Sequence, residues 1–265
     1  MHYLVDYHVH TDNSFDSRAK MMDYCQKAVE IGIKEIVFTE HFDLNSEDAG
    51  LGYFNYERYS LEIEECRERF GKKLAIKKGL ELGEPHLYLQ EHAVFWEDKT
   101  FDFFLGSVHF VGDQLLHRDY EDDADEREVY LQYFEEVLAT AQKGNFHSLG
   151  HLDVLKRYVP RTFKKFKALD YEEVVREILK AVIKRYRGIE LNTSGFSQGL
   201  GEPLPTLEII KWYKELGGKI ITIGSDAHHL RQLGQDLERG LEIIKDLGFP
   251  GICTYTKGEP RIISF

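Results

Sequence analysis

Short apolar runs alternate with longer amphipathic stretches along nearly the whole chain. The strand-like runs are Tyr3–Tyr7, Glu35–Phe38, Leu74–Leu80, Phe101–Gly106, Phe146–Leu149, Gly188–Leu191 and Lys219–Ile223. Helical periodicity fills the intervals, near Lys20–Ile31, Tyr56–Phe70, Pro85–Glu97, Glu128–Lys143, Tyr171–Tyr186, Leu207–Leu216 and Leu230–Leu247. Strands that alternate with helices predict βαβ units and a parallel sheet. Seven such units without a break in composition favour a closed barrel over two domains. Gly32, Gly71, Gly144, Gly217 and Gly248 each follow a helical pattern, where a left-handed C-cap is expected. The stretch Asp113–Arg127 is the least regular and is rich in acidic residues; it reads as a solvated loop, with a substrate lid as the alternative.

Composition narrows the class. At 265 residues, 42% hydrophobic and 30% charged, the chain matches a globular protein with a substantial core. The formal net charge of −12 argues against nonspecific nucleic-acid binding, since phosphates would be repelled. An anionic substrate stays open, because bound divalent cations reverse the local field. No apolar stretch approaches the ~20 residues that span a bilayer. The first strand begins almost at Met1, which leaves no room for a signal peptide, so a cytoplasmic location is expected. Cys25, Cys66 and Cys253 lack metal-binding spacing and read as small buried side chains.

The polar residues that end the apolar runs carry the chemistry. After the first run come His8 and His10, whose i, i+2 spacing puts both imidazoles on one face of a strand. Asp16 follows six residues later, and the later runs end at Glu40-His41, Glu81, His109, His151, and Asp226 with His228. In a parallel barrel these C-terminal ends share one rim, where active sites of such barrels lie. Imidazole and carboxylate donors without thiolate suit Zn, Mn or Fe. The other histidines, His2, His86, His92, His117, His147 and His229, read as hydrogen-bonded core or surface residues, with His229 set apart only by adjoining His228.

With those residues in place, the chain resembles the PHP (polymerase and histidinol phosphatase) superfamily. The resemblance rests on Asp6-Tyr7-His8-Val9-His10-Thr11 with Asp16, Glu40-His41, Gly106-Ser107-Val108-His109 and Gly224-Ser225-Asp226-Ala227-His228. Glu81 and Gly150-His151-Leu152-Asp153 fill the two ligand positions between, and the segment Glu190 to Gly195 brings the chain nearest the histidinol-phosphate phosphatases. The resemblance implies an α/β fold, a distorted (β/α)7 TIM-like barrel, as one metal-dependent phosphoesterase domain over residues 1–265.

It also implies three divalent metal ions. His8, His10, Glu81 and Asp226 would hold one; Glu81 would bridge to a second with His109 and His151; Asp16, His41 and His228 would hold the third. The expected reaction is hydrolysis of L-histidinol phosphate, a step of histidine synthesis, by a metal-bound hydroxide. Asp16, His41, Asp226 and His228 are the expected catalytic group. Another phosphate ester (a nucleotide, a sugar phosphate or phosphotyrosine) is the alternative. Phosphate recognition usually adds arginine, and Arg161 stands where the family places one after the fifth strand. A second basic residue usually follows the Asn-Thr-Ser-Gly segment, but here that place reads Phe196-Ser197-Gln198, which singles out Ser197 and makes Arg231 the candidate for compensation.

Overall fold

The expected alternation is present in the computed structural model, which describes residues 3–117, 120 and 124–265. His2 and part of the acidic stretch 113–127 lie outside the described residues. Seven parallel strands form one sheet: β1 (Val5–Val9), β2 (Glu35–Phe42), β3 (Ala75–Gly83), β4 (Phe103–Ser107), then, after a small hairpin of β5 (Phe110–Val111) and β6 (Gln114–Leu115), β7 (Ser148–Leu149), β8 (Gly188–Asn192) and β9 (Ile221–Gly224). Their spatial order is their chain order, as repeated right-handed βαβ crossovers require. A parallel bridge between Val9 and Ala227 brings the last strand back to the first, so the sheet is a nearly closed barrel. β1, β8 and β9 are buried at every position, as expected of parallel strands covered on both faces.

The helices pack outside this barrel: α1 (Met21–Ile31), α2 (Tyr56–Phe70), α3 (Leu89–Trp96), α4 (Glu126–Lys143), α5 (Glu172–Lys184), the single turn α6 (Ser194–Ser197), α7 (Leu207–Glu215) and α8 (Leu237–Asp246). Local chemistry sets their ends. The Asn55 side chain accepts from the Arg58 amide at 2.8 Å to start α2, and Asp125 caps α4. In α5 the buried residues Val175, Ile178, Leu179 and Val182 recur at helical spacing toward the core. Gly32, Gly217 and Gly248 take left-handed conformations after their helices, as expected. Gly71 and Gly144 do not: Gly71 stays right-handed and Gly144 is extended, because each only relays its amide to the helix (Arg67 O and Thr140 O).

Two further elements depart from the expected pattern. The helical stretch Leu230–Leu247 divides into a 3-10 turn, Leu230–Gln232, and α8, because Gly234 and Asp236 both adopt positive φ. The Gly234 amide donates instead to Asp6 on β1 at 3.1 Å. A C-terminal antiparallel hairpin, β10 (Gly251–Thr256) and β11 (Glu259–Ser264), closes the end of the barrel where the strands begin. There the Tyr255 amide donates to the Tyr7 hydroxyl, and the Lys257 amide to Asp102. The opposite rim is left free for the polar strand ends.

Candidate metal centre

Glu81, in the C-terminal half of β3, is 1% exposed and lies within reach of five imidazoles. Its Oε2 is 3.1 Å from His8 Nε2, 3.3 Å from His10 Nε2 and 3.4 Å from His41 Nδ1. Its Oε1 is 2.9 Å from His151 Nε2 and 3.3 Å from His109 Nε2, and accepts from the Ser107 hydroxyl at 2.6 Å. Asp226 Oδ1 faces His8 Nε2 at 3.6 Å, and Asp16 Oδ2 joins His41 Nε2 at 3.4 Å to His228 Nε2 at 3.1 Å. All nine residues singled out at the strand ends thus come together on one rim. Asp226 reaches it from a left-handed backbone position, φ 55°, a conformation unusual outside glycine but better tolerated by Asp than by most residues.

The donor atoms are suited to cations. His8–His10–Asp226, His8–Glu81–His151, His41–Glu81–His109 and His10–His41–His228 each bring their donor atoms within 4.8 Å of one another. The buried His10 Nε2 and His41 Nδ1 have no hydrogen-bond partner among the described residues. Electrostatics agree. Burial opposes charge on His8, but Glu190, Glu81 and Asp226 push its pKa well above the ordinary value. His41 rises to about 9 against its burial, chiefly through Glu81 and Asp16. His10, buried beside His228 and His41, falls to about 3 and presents a neutral ring. Glu81 and Asp226 are held well below the carboxylate range despite burial. The same field that holds protons on these imidazoles would hold divalent cations among them.

Outer partners fix the rings. His8 Nδ1 meets Glu190 Oε1 at 2.7 Å, and Glu190 Oε2 accepts from the His151 amide at 2.9 Å. His109 Nδ1 is 3.5 Å from Asp43 Oδ1, and His10 Nδ1 meets Ser14 Oγ at 3.2 Å. Asp6 is buried, accepts from the Ser225 amide and hydroxyl, and so fixes the turn that delivers Asp226. Asp43 was not singled out from the sequence, and Asp6 and Glu190 stood only within the segments that carry the resemblance, with no part in the site assigned to them. Glu190 had a signal, an acidic residue inside an otherwise apolar strand.

A cavity of about 330 Å³ opens beside the cluster, within the usual range of small-molecule sites. Its wall combines metal-site residues with Phe15, Leu115, Leu116, Val154 and Tyr158. His117 also lines it, against Tyr158 with ring centroids 4.1 Å apart, so it is neither a core nor an ordinary surface residue. The expected substrate contacts lie elsewhere: Arg161, Ser197 and Arg231 are exposed and none lines the cavity. Arg161 is carried by an exposed turn four residues beyond Arg157, which does line it. Gln198 lines the cavity next to Ser197. His86 and His147 are hydrogen-bonded inside the fold, and His229 is exposed.

The family model described as PHP domain matches residues 6–194, a span that carries seven of the nine converging donors. The chain belongs to the PHP domain family. This PHP chain is 32% identical over 263 residues to the histidinol-phosphatase of Lactococcus lactis, covering 95% of this chain and 94% of that one. It is 28% identical over 246 residues to a Thermotoga maritima protein named "Probable histidinol-phosphatase", covering 93% of each. The crystal structure of the Lactococcus lactis histidinol phosphate phosphatase, complexed with Zn, L-histidinol and phosphate, matches the PHP chain with a TM-score of 0.90 at 30% identity. The match spans 98% of this chain and 99% of that one.

Proposed function

We propose that this chain is a metal-dependent phosphomonoesterase that hydrolyses L-histidinol phosphate to L-histidinol and inorganic phosphate. The observation that carries this reading is the junction of the Glu81-centred donor cluster with the adjoining cavity, in a chain so similar over its length to a histidinol-phosphatase. Residues 1–265 act as one catalytic domain. We assign three ions to the donors: the first to His8, His10, Glu81 and Asp226; the second to Glu81, His109 and His151; the third to Asp16, His41 and His228. The shared reach of His10 and His41 toward two groups each supports closely spaced ions rather than isolated ones. The donors suit Zn, Mn or Fe, and Zn is the favoured metal because the similar Lactococcus lactis structure is complexed with it.

Divalent cations bound here would polarise the phosphoryl oxygens and lower the pKa of a water. The side chains do the rest. Asp16, Asp43, Asp48, Glu81 and Asp226 line the cavity, so an ester dianion enters only when that charge is offset. In the reaction water oxygen bonds to phosphorus, the phosphorus–alkoxide bond breaks, and the alkoxide takes a proton. Asp16, His41, Asp226 and His228 all line the cavity and are the groups we assign to that exchange. Glu190, Asp43 and Ser14 hold the imidazoles in fixed orientations, so donors meet the transition state without reorganising. The apolar wall of Phe15, Leu115, Val154 and Tyr158 suits an imidazole-bearing leaving group better than a sugar.

The test is phosphate release by the zinc-loaded protein from histidinol phosphate against nucleotide, sugar-phosphate and phosphotyrosine esters. A kcat/KM for histidinol phosphate at least tenfold above every other ester is expected. Equal rates across the panel would sink this substrate and leave a general monoesterase. No helix among the described residues is long and apolar enough to cross a membrane.

A further inference from the structure

We infer that Asp48 is the specificity residue of this site and receives an ammonium group of the substrate, so that the preferred esters are phosphates of amino alcohols. The inference rests on the phosphomonoesterase reading and names the part of the leaving group that the site selects. The carboxylates that line the cavity are Asp16, Asp43, Asp48, Glu81 and Asp226. All but Asp48 face imidazoles of the cluster: Asp16 faces His41 and His228, Asp226 faces His8, and Glu81 lies among the rings described above. Asp43 Oδ2 is 3.6 Å from His41 Nδ1, and Asp43 Oδ1 is 3.5 Å from His109 Nδ1. Asp48 lines the same cavity and makes no ion pair among the described residues. Cations held by the cluster would offset its neighbours and leave the Asp48 charge for a cationic ligand.

The carboxylate is held in place and half-buried. Asp48 lies in the loop between β2 and α2, where its amide donates to the Asn45 carbonyl at 3.0 Å. Its Oδ1 accepts from the Gly50 amide at 2.6 Å, and its Oδ2 has no hydrogen-bond partner among the described residues. Phe15, from the loop after β1, borders the same spot. A Cβ built on Gly50 would lie 2.7 Å from Phe15 Cδ1 and 3.0 Å from Asp48 Oδ1, so the ring and the carboxylate are neighbours. Phe15 in turn stands beside the metal-site residue His41, with ring centroids 5.8 Å apart. A carboxylate next to an aromatic ring suits an ammonium group, which gains a charge-assisted hydrogen bond from one and attraction to the face of the other. A neutral branch gains neither and still strips water from Asp48. One free oxygen without an imidazole in contact is too small a ligand set for a further divalent ion.

The layout of the barrel fixes where on the substrate this ammonium sits. Phe15 and Asp48 follow β1 and β2, whereas Leu115, Leu116, Val154 and Tyr158 come from the hairpin after β4 and the turn after β7. β3, with Glu81, lies between them in the sheet. An alkoxide that branches next to its ester carbon can send an ammonium toward Asp48 and an apolar ring toward the other wall while its phosphoryl group stays at the donors. Nucleotides and simple sugar phosphates have no ammonium for Asp48.

The test compares kcat/KM for esters with and without an ammonium group in the zinc-loaded wild type, Asp48→Asn and Phe15→Leu. Histidinol phosphate is paired with its deaminated analogue, and ethanolamine phosphate with ethyl phosphate. Asp48→Asn keeps an acceptor for the Gly50 amide and loses the charge. Its preference for the ammonium ester of each pair should shrink about tenfold or more, the strength of one charged hydrogen bond, chiefly through KM and with zinc content unchanged. Phe15→Leu should shrink the preference less. All three proteins meet the same esters, so differences in the esters' intrinsic reactivity cancel. A preference within twofold of wild type in Asp48→Asn overturns the inference. Loss of zinc from that variant also overturns it, since Asp48 would then belong to the metal site. If Asp48→Asn does not fold, Phe15→Leu decides alone, an unchanged preference counting against the role. If histidinol phosphate is not turned over, the ethanolamine pair still decides, so failure of the substrate reading and failure of this inference stay apart.

Discussion

Glu81 is the residue on which the centre depends, because among the described residues it is the single carboxylate whose two oxygens face imidazoles from four different strand ends. Such an anion is stable in a buried place only while cations or protons surround it. The outer carboxylate Glu190 matters for a different reason: it fixes the His8 ring through Nδ1 and leaves Nε2 to face Glu81 and Asp226. Glu190→Gln keeps the shape and removes the charge, and should weaken zinc binding by about 10–100-fold. Zinc titration against a competing chelator reads that change; unaltered affinity would show that His8 needs no carboxylate behind it. At this scale the sequence was readable where a polar residue broke an apolar strand at its end. It was unreadable for Asp43, whose place against His109 comes from loop geometry that no spacing encodes.

Among the elements, the strands and helices follow the hydrophobic pattern closely, since β2 begins at Glu35 and α2 spans Tyr56–Phe70 as periodicity suggests. The small β5–β6 hairpin and the C-terminal β10–β11 hairpin did not stand out. β11 is almost wholly exposed and has no apolar run to reveal it, and β5 and β6 have two residues each. The third helix shows what periodicity misses about content. α3 is shorter than its pattern, because Glu84 takes a positive φ and the chain turns before Leu89. Its one buried residue is His92, stacked on Trp96 and near Phe42 with neither ring nitrogen hydrogen-bonded among the described residues. Burial lowers its pKa from 6.5 to about 4, so the folded state prefers the neutral ring. The unfolded chain therefore binds a proton first, and this residue's contribution to stability is lost as pH falls from about 6.5 to about 4. His92→Phe keeps the packing without that proton, so its denaturant midpoint should fall less than the wild type's between pH 7 and pH 5. Parallel loss in both proteins would place the acid sensitivity elsewhere.

At the scale of the molecule, the metal centre straddles the seam of the barrel. At the seam the backbone pairing is a single isolated bridge, Val9–Ala227, where the His10 amide donates to the Ala227 carbonyl at 3.0 Å and the Ala227 amide to the His8 carbonyl at 3.3 Å. His8 and His10 stand on one side of that seam, Asp226 and His228 on the other, and the Asp6–Ser225 bonds lie just beneath. Cations shared by the two sides would therefore close the barrel as well as serve the reaction. Binding that favours the folded state stabilises it by about 2.7 kcal/mol at a free metal concentration of 100 times Kd. Chelation should accordingly lower the melting temperature, and the loss should be uneven. Amide hydrogen exchange at His10 and Ala227 should quicken most, because without cations the carboxylates of Glu81, Asp226 and Asp16 repel one another across the seam. The amides of Tyr255 and Lys257, held by Tyr7 and Asp102 at the far end of the barrel, should keep their protection. Equal acceleration at both ends would mean that the metals stabilise the fold globally and that the seam has no separate opening.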